Sequence, residues 1–305
     1  MAAPVVVLAG GTGGAKLARG MLDVVGDDLV VIANTADDVE IYGAAVSPDP
    51  DLTTFWLADR IDERGWGLRD DTFAAMDMLR ELGADVWFNL GDCDLAWCIE
   101  RRRRLDAGET PTQALAALAA AIGVRATVLP MCDEPVGTRV RAHDAWHAFQ
   151  EFMIREQARG PVQDVTFAGI DAARPTTAVL DAIAAARAII IGPSNPMISI
   201  RPILDIPGMR TALAAAHAPI VAVSPIVRGA VVKGPTEAFM TWAGQPLSAA
   251  GIAQEYAGLI DGLLADDDVG VNAVPVRHHD TLLSDAPRRR EVAQAALDLV
   301  LEIAG

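Results

Sequence analysis

The stretch "VVVLAGGTGGAKLARG", residues 5–20, decides the fold. Five aliphatic residues stop at Gly10, Gly11, Thr12, Gly13 and Gly14, and a helical pattern then sets Leu17, Met21 and Leu22 on one side. A strand, a glycine loop and a helix in this order cradle a phosphate or a dinucleotide. Neither standard motif fits. A G-x-G-x-x-G pattern starting at Gly11 needs glycine where Lys16 stands, and a P-loop ends in Gly-Lys-Ser/Thr where this chain reads Ala15-Lys16-Leu17. The physical argument survives. Backbone amides of Gly11, Thr12, Gly13 and Gly14 can approach an anion, the helix N-terminus favours it, and Lys16 adds a positive charge. The plain alternative is a tight strand-to-helix turn with no ligand.

Further apolar runs lie at 29–33, 86–90, 126–129, 165–168, 188–192 and 220–223, with helical patterns at 72–82, 112–122, 176–186 and 209–217. Alternation of this kind predicts an α/β fold: a doubly wound, mainly parallel, Rossmann-like sheet with helices on both faces. The 305 residues, 51% of them hydrophobic, suffice for one domain, with a smaller α/β excursion at about 125–175 inserted beside the nucleotide-binding sheet. Ligands of such folds sit at the carboxyl ends of the strands. Those ends are polar here. The second run ends in "NTADDVEIYG", with "SPDPD" close behind, and later ones end in "NLGDCD", "GPSNP" and "VSPIV".

The net charge of −16 disfavours nonspecific binding to nucleic acid or an anionic membrane. It still permits an anionic substrate where a metal reverses the local field. Cys93, Cys98 and Cys132 have neither a disulfide framework nor zinc spacing, so a cytoplasmic protein is expected. No signal peptide or membrane span is expected. Asp37, Asp38, Asp49 and Asp51 are carboxylates close in sequence, costly together unless a cation sits among them, and Mg²⁺ suits hard oxygen ligands beside phosphates. Asp51 can alternatively cap the helix that runs through Leu57. In "GPSNP" two prolines stiffen a turn that presents Ser194 and Asn195. The run Arg101 to Arg104 reads as a solvated helix end or an ion-pair partner for another subunit. His147 reads as partly buried structure.

Taken in order, "LAGGTGGAKLARG", "NTADD", "SPDPD", "RGWGLRDDTFAAM", "LGDCDLA", "LPMCDEPVGTRV", "FQEFMIR", "GPSNPMISIRPIL" and "VAVSPIV" resemble the 2-phospholactate transferase family of coenzyme F-420 biosynthesis over nearly the whole chain. The resemblance implies a Mg²⁺-dependent enzyme. It would move a phospho-acid unit (2-phospholactyl, phosphoenolpyruvyl or 3-phosphoglyceryl) from a guanylylated donor to the ribityl hydroxyl of the deazaflavin Fo, releasing GMP. It also implies a homodimer. On this reading Asp51, Asn89 and Asp92 contact Fo, and Ser194, Asn195 and Ser224 join the glycine loop on the donor. Asp37, Asp38 and Asp49 hold the metal, and Asp49 or Asp51 is the catalytic carboxylate. Three departures stand out. Cys93 replaces an arginine, Trp97-Cys98 replace Thr-His, and Tyr42 replaces a histidine. If Cys93 and Trp97 share a helix face, they line one wall and shift donor choice. A distant branch of the same superfamily resembles a nucleotide-sugar-binding regulator, against which the aspartate set and "LGDCDLA" argue. A Rossmann dehydrogenase would want an acidic residue where Asn34-Thr35 end the second strand.

Overall fold

A computed structural model describes residues 3–232, 234–267 and 274–305. Seven strands form one parallel sheet: β1 (Val5–Ala9), β2 (Leu29–Ala33), β3 (Thr127–Pro130), β4 (Ala188–Ile191), β5 (Ile220–Val223), β6 (Gly262–Ala265) and β7 (Val276–His278). Their spatial order is β7-β6-β5-β4-β1-β2-β3. The central strands are aliphatic throughout because both faces are covered. Val5, Val7 and Ala9 enter the core beneath α1 (Gly11–Val25) and the C-terminal helix Ala286–Ala304, while Val6 and Leu8 enter the opposite core. Gly20 marks how closely those two helices pack, since a Cβ there would lie 2.2 Å from the Arg289 carbonyl oxygen.

From β1 the chain moves to one side, to β2 and then β3. It returns to pair β4 on the other side of β1 and continues outward through β5, β6 and β7. The loops leaving β1 and β4 therefore diverge, and the crevice between them is the switch point where open parallel sheets bind ligands. The helices on the β2 side are α2 (Pro48–Leu57), α3 (Ala74–Glu81), α4 (Asp92–Asp106) and α5 (Pro111–Ala121). With a short hairpin, Val39–Ile41 and Ala44–Val46, they enclose a third apolar core. The excursion is a three-stranded antiparallel sheet of Gly137–Ala142, Ala145–Ala148 and Asp164–Ala168, carrying α6 (Phe149–Ile154). His147 sits on its edge strand Ala145–Ala148, half-buried.

Three expectations change. Residues 86–90 form no strand, because β3 takes the sheet edge beside β2 and this run packs instead as a loop in the third core. The run at 165–168 pairs in the small sheet, not the large one. The outer strands β6 and β7 were not expected; they are short, and β7 carries Arg277 and His278.

The glycine loop is tight for a packing reason as well as a conformational one. A Cβ on Gly13 would stand 2.0 Å from the Pro193 carbonyl oxygen, and one on Gly14 would stand 2.6 Å from Ser194 Oγ. A Cβ on Gly11, at φ +59°, would meet only Ser199 Oγ at 3.8 Å, an ordinary contact. Gly13→Ala should thus lose about 2 kcal/mol or more by overpacking, whereas Gly11→Ala should lose about 1 kcal/mol through left-handed backbone strain. Urea denaturation of both variants checks this, and an undiminished midpoint for Gly13→Ala refutes it.

Candidate functional site

The first turn of α1 begins without a side-chain cap of its own, because Gly10 occupies the cap position. Distant residues supply the acceptors. The Gly10 amide donates to Ser194 Oγ at 3.2 Å, and the Gly11 amide donates to Asp49 Oδ1 at 2.7 Å. The other oxygen of Asp49 accepts from Asn34 Nδ2 at 2.9 Å, and Asn34 Oδ1 accepts the Ala36 amide. A carboxylate thus occupies part of the anion-favouring helix terminus, while Thr12, Gly13 and Lys16 remain along the cleft wall. Lys16 Nζ also lies 5.8 Å from the Trp56 ring centroid.

Burial pushes the Asp49 carboxyl up to about 6, against the pull of its hydrogen bonds from Asn34 and Gly11. Asp37 is also shifted well up, by burial first and by the neighbouring charge of Asp49 second. Its Oδ1 is buried with no hydrogen-bond partner among the described residues. Among those residues no three Asp, Glu, His or Cys side chains converge as a preformed metal cage. A buried pair with one orphaned oxygen still fits Mg²⁺, which binds through one or two carboxylates and completes its shell with water and substrate phosphates. Asp38 stands apart at the rim, where Ser47 Oγ donates to it at 2.8 Å, and it lines a neighbouring cavity of about 350 Å³.

Asp51 does not line the cleft. Ser47, not Asp51, is the N-cap of α2, and the Asp51 carboxylate points the opposite way from Asp49. It accepts the guanidinium fork of Arg101 and, at 2.7 Å, the indole N–H of Trp97. Arg101 is therefore a buried structural cation, which also donates to the Ala45 carbonyl at 2.9 Å. The other three arginines of the run pair within the chain, with Glu40, Asp106, Glu100 and Glu109. Trp97 is buried edge-on against Phe55, whereas Cys93 is exposed, so the two do not build one wall of the cleft. Asp92 caps α3, accepting the Ala74 and Ala75 amides at 3.1 and 2.9 Å, and exposed Asn89 accepts from Arg80. Neither lines the cleft. Tyr42 accepts the Phe88 amide through its hydroxyl.

The "GPSNP" turn forms the opposite wall. Asn195 Oδ1 accepts the Met197 and Ile198 amides and caps a π-helical turn, Pro196–Ile200. Its Nδ2 reaches Thr236 Oγ1 at 3.4 Å. Ser224 Oγ accepts the Ile226 amide at 3.2 Å. These polar side chains line the cleft but spend much of their hydrogen bonding on shaping their own loops.

The resulting cleft holds about 540 Å³. It gathers Gly11, Thr12, Gly13, Lys16, Asp37, Asp49, Ser194, Asn195 and Ser224; Gly14 lies beneath it, packed on Ala9. Three further walls went unrecognised in the sequence. Phe149, Gln150 and Met153 arrive from α6, and Gln150 Nε2 donates to the Asp37 carbonyl at 3.2 Å. Thr236 follows the 226–231 hairpin, and Thr281 follows β7. The "FQEFMIR" segment was the one available signal for the first of these.

Residues 5–294 match the family model described as 2-phospho-L-lactate transferase CofD. The chain is 39% identical over 316 residues to a phosphoenolpyruvate transferase of Kitasatospora aureofaciens, covering 98% of each chain. It is 34% identical over 303 residues to a 2-phospho-L-lactate transferase of Methanosarcina barkeri, covering 96% of this chain and 97% of that one. A UPF0052-family protein from Bacillus halodurans shares the fold, with a TM-score of 0.62 at 16% identity over 97% of this chain and 99% of that one. No helix among the described residues is long and apolar enough to cross a membrane.

Two consequences can be measured. Between the ordinary carboxyl value of 3.8 and about 6, folded Asp49 keeps a proton that the unfolded chain has released. Its contribution is thus complete below about pH 4 and is lost as pH rises through 6, a swing of about 3 kcal/mol. Without divalent cations, the stability of Asp49→Asn relative to the parent should rise by that order between pH 4 and pH 7.5; a pH-independent difference refutes the shift. Separately, Arg101→Leu should cost about 3–5 kcal/mol by stranding Asp51, and adding Asp51→Leu should recover much of it. Urea denaturation of the single and double variants reads both values.

Proposed function

The chain belongs to the 2-phospho-L-lactate transferase CofD family, and from that premise we propose that it acts in coenzyme F-420 biosynthesis. It transfers a 2-phospholactyl, phosphoenolpyruvyl or 3-phosphoglyceryl unit from a guanylylated donor to the ribityl hydroxyl of Fo. The observation that carries this reading is the cleft at the switch point, where a helix N-terminus and Lys16 face the buried pair Asp37 and Asp49. The hydroxyl oxygen forms a bond to the phosphorus of the phospho-acid. The bond from that phosphorus to the bridging oxygen breaks, and GMP leaves with that oxygen.

Such a displacement needs alignment and charge neutralisation more than a covalent intermediate. Thr12, Gly13 and Lys16 would orient the donor phosphates. Asp37 and Asp49 would hold Mg²⁺, which when bound offsets the charge of the diphosphate. Asp49 borders the same cleft and would accept the hydroxyl proton. Asp51 acts at one remove, by holding α2 against Arg101.

Incubation with Fo, Mg²⁺ and each of the three guanylylated acids, followed by mass spectrometry, tests the reading. One phospho-acid adduct of Fo together with GMP is expected. Asp37→Asn should lower turnover about a hundredfold and raise the Mg²⁺ requirement. Cys93→Arg should leave the ranking of donors unchanged, because Cys93 lies off the cleft. Absence of product with all three donors, with a nucleotide sugar retained on purification, overturns it.

A further inference from the structure

Ser194, Ser224, Thr236 and Thr281 are among the hydroxyl-bearing residues that line the β4–β5 side of the cleft. Three are occupied. Ser194 accepts the Gly10 amide, Ser224 accepts the Ile226 amide, and Thr236 meets the Asn195 carboxamide. Thr281 is different. It is 2% exposed, and its Oγ1 has no hydrogen-bond partner among the described residues. A buried hydroxyl left unpaired is costly unless something in the cleft pairs with it. The Oγ1 itself is inaccessible, and a rotation about χ1 that exchanges hydroxyl and methyl brings it to the wall.

Its position along the sheet says which part of a ligand it would meet. Leu283 belongs to the same apolar core as Val223 and Leu264, and the His279 amide donates to the Ala265 carbonyl at 2.8 Å, which sets the 281–284 segment on the β5–β6 side of the sheet. The glycine loop follows β1, two strands away from β5. At about 4.8 Å per strand, that separation is roughly 10 Å, the span from a phosphate to the sugar or base of one nucleotide. The same side of the cleft carries the apolar Pro225, Val227, Val231, Pro235 and Leu282. Apolar walls with a few placed polar groups suit a ring.

We propose that Thr281 is a specificity-determining residue for the nucleoside half of the donor, its hydroxyl hydrogen-bonding the sugar or base. This rests on the nucleotide-donor reading above. Isothermal titration with GMP and, separately, with pyrophosphate tests it on the parent, Thr281→Val and Thr281→Ser. Thr281→Val should bind GMP about tenfold more weakly, keep pyrophosphate affinity within about twofold, and be rescued by Thr281→Ser. If the valine variant does not fold, Thr281→Ala carries the same comparison. GMP affinity equal to the parent's, or equal losses for GMP and pyrophosphate, overturns the assignment. Titration of the parent with AMP and UMP separates the two readings. Preference for UMP that Thr281→Val weakens sinks the guanylylated donor but keeps Thr281 on the nucleoside. A parent that binds none of the three mononucleotides sinks both.

Discussion

The first turn of α2 is the constraint on which the site depends. Within five residues, Ser47 donates to Asp38, Asp49 closes the N-terminus of α1, and Asp51 grips Arg101 and Trp97. One helical turn thereby ties together the loop after β2, the loop after β1 and the third core. Pro48 at its first position fixes φ and costs no hydrogen bond, because that amide has no partner within the helix. The geometry of Asp49 against Gly11 is therefore only as exact as the opposite anchor, the Asp51–Arg101 pair. That pair is buried on both partners, so each charge makes the other tolerable.

This arrangement also accounts for how a chain of net charge −16 can handle an anionic donor. The acidity is not merely spread over the surface; two carboxylates are buried at the mouth of α1 itself. Their desolvation holds protons on them more strongly than in water, and the pair lowers its energy by binding either protons or a cation. A phosphate approaching the helix terminus without a cation would meet Asp49 as a like charge. On the proposed reading the electrostatics would couple metal and phosphate binding in a way that Lys16 and a helix dipole alone would not.

Much of this was legible in the residues. Doubly buried strands announce themselves as unbroken aliphatic runs, so β1, β2, β4 and β5 were readable, and their polar ends located the cleft. The run at 86–90 misled because apolar character records burial and not pairing; a loop on a third core has the same composition as a short strand. The edge strand β7 was invisible for the converse reason, since Arg277 and His278 break the pattern, and β6 was missed because its apolar run is only 263–265. The structure brings Gly11, Gly13 and the pair Asp37 and Asp49 into one cleft, a grouping legible beforehand because loop chemistry is local in sequence. Asp51 was misjudged because what decides its role, Arg101 and Trp97, lies about 50 residues away.

The departures at Cys93, Trp97 and Cys98 take on a different meaning once placed in three dimensions. Trp97 faces inward, where its indole N–H satisfies a carboxylate that Arg101 already holds, and its ring fills space against Phe55. Cys98, one residue on, is fully buried in the same core, while Cys93 is left outside. A larger side chain beside a small one at adjacent buried positions redistributes volume within a core without altering the cleft wall. On the proposed reading the transferred acid would be read by groups that do border the cleft, and the excursion contributes Phe149, Gln150 and Met153 there, with Gln150 bonded to the Asp37 carbonyl.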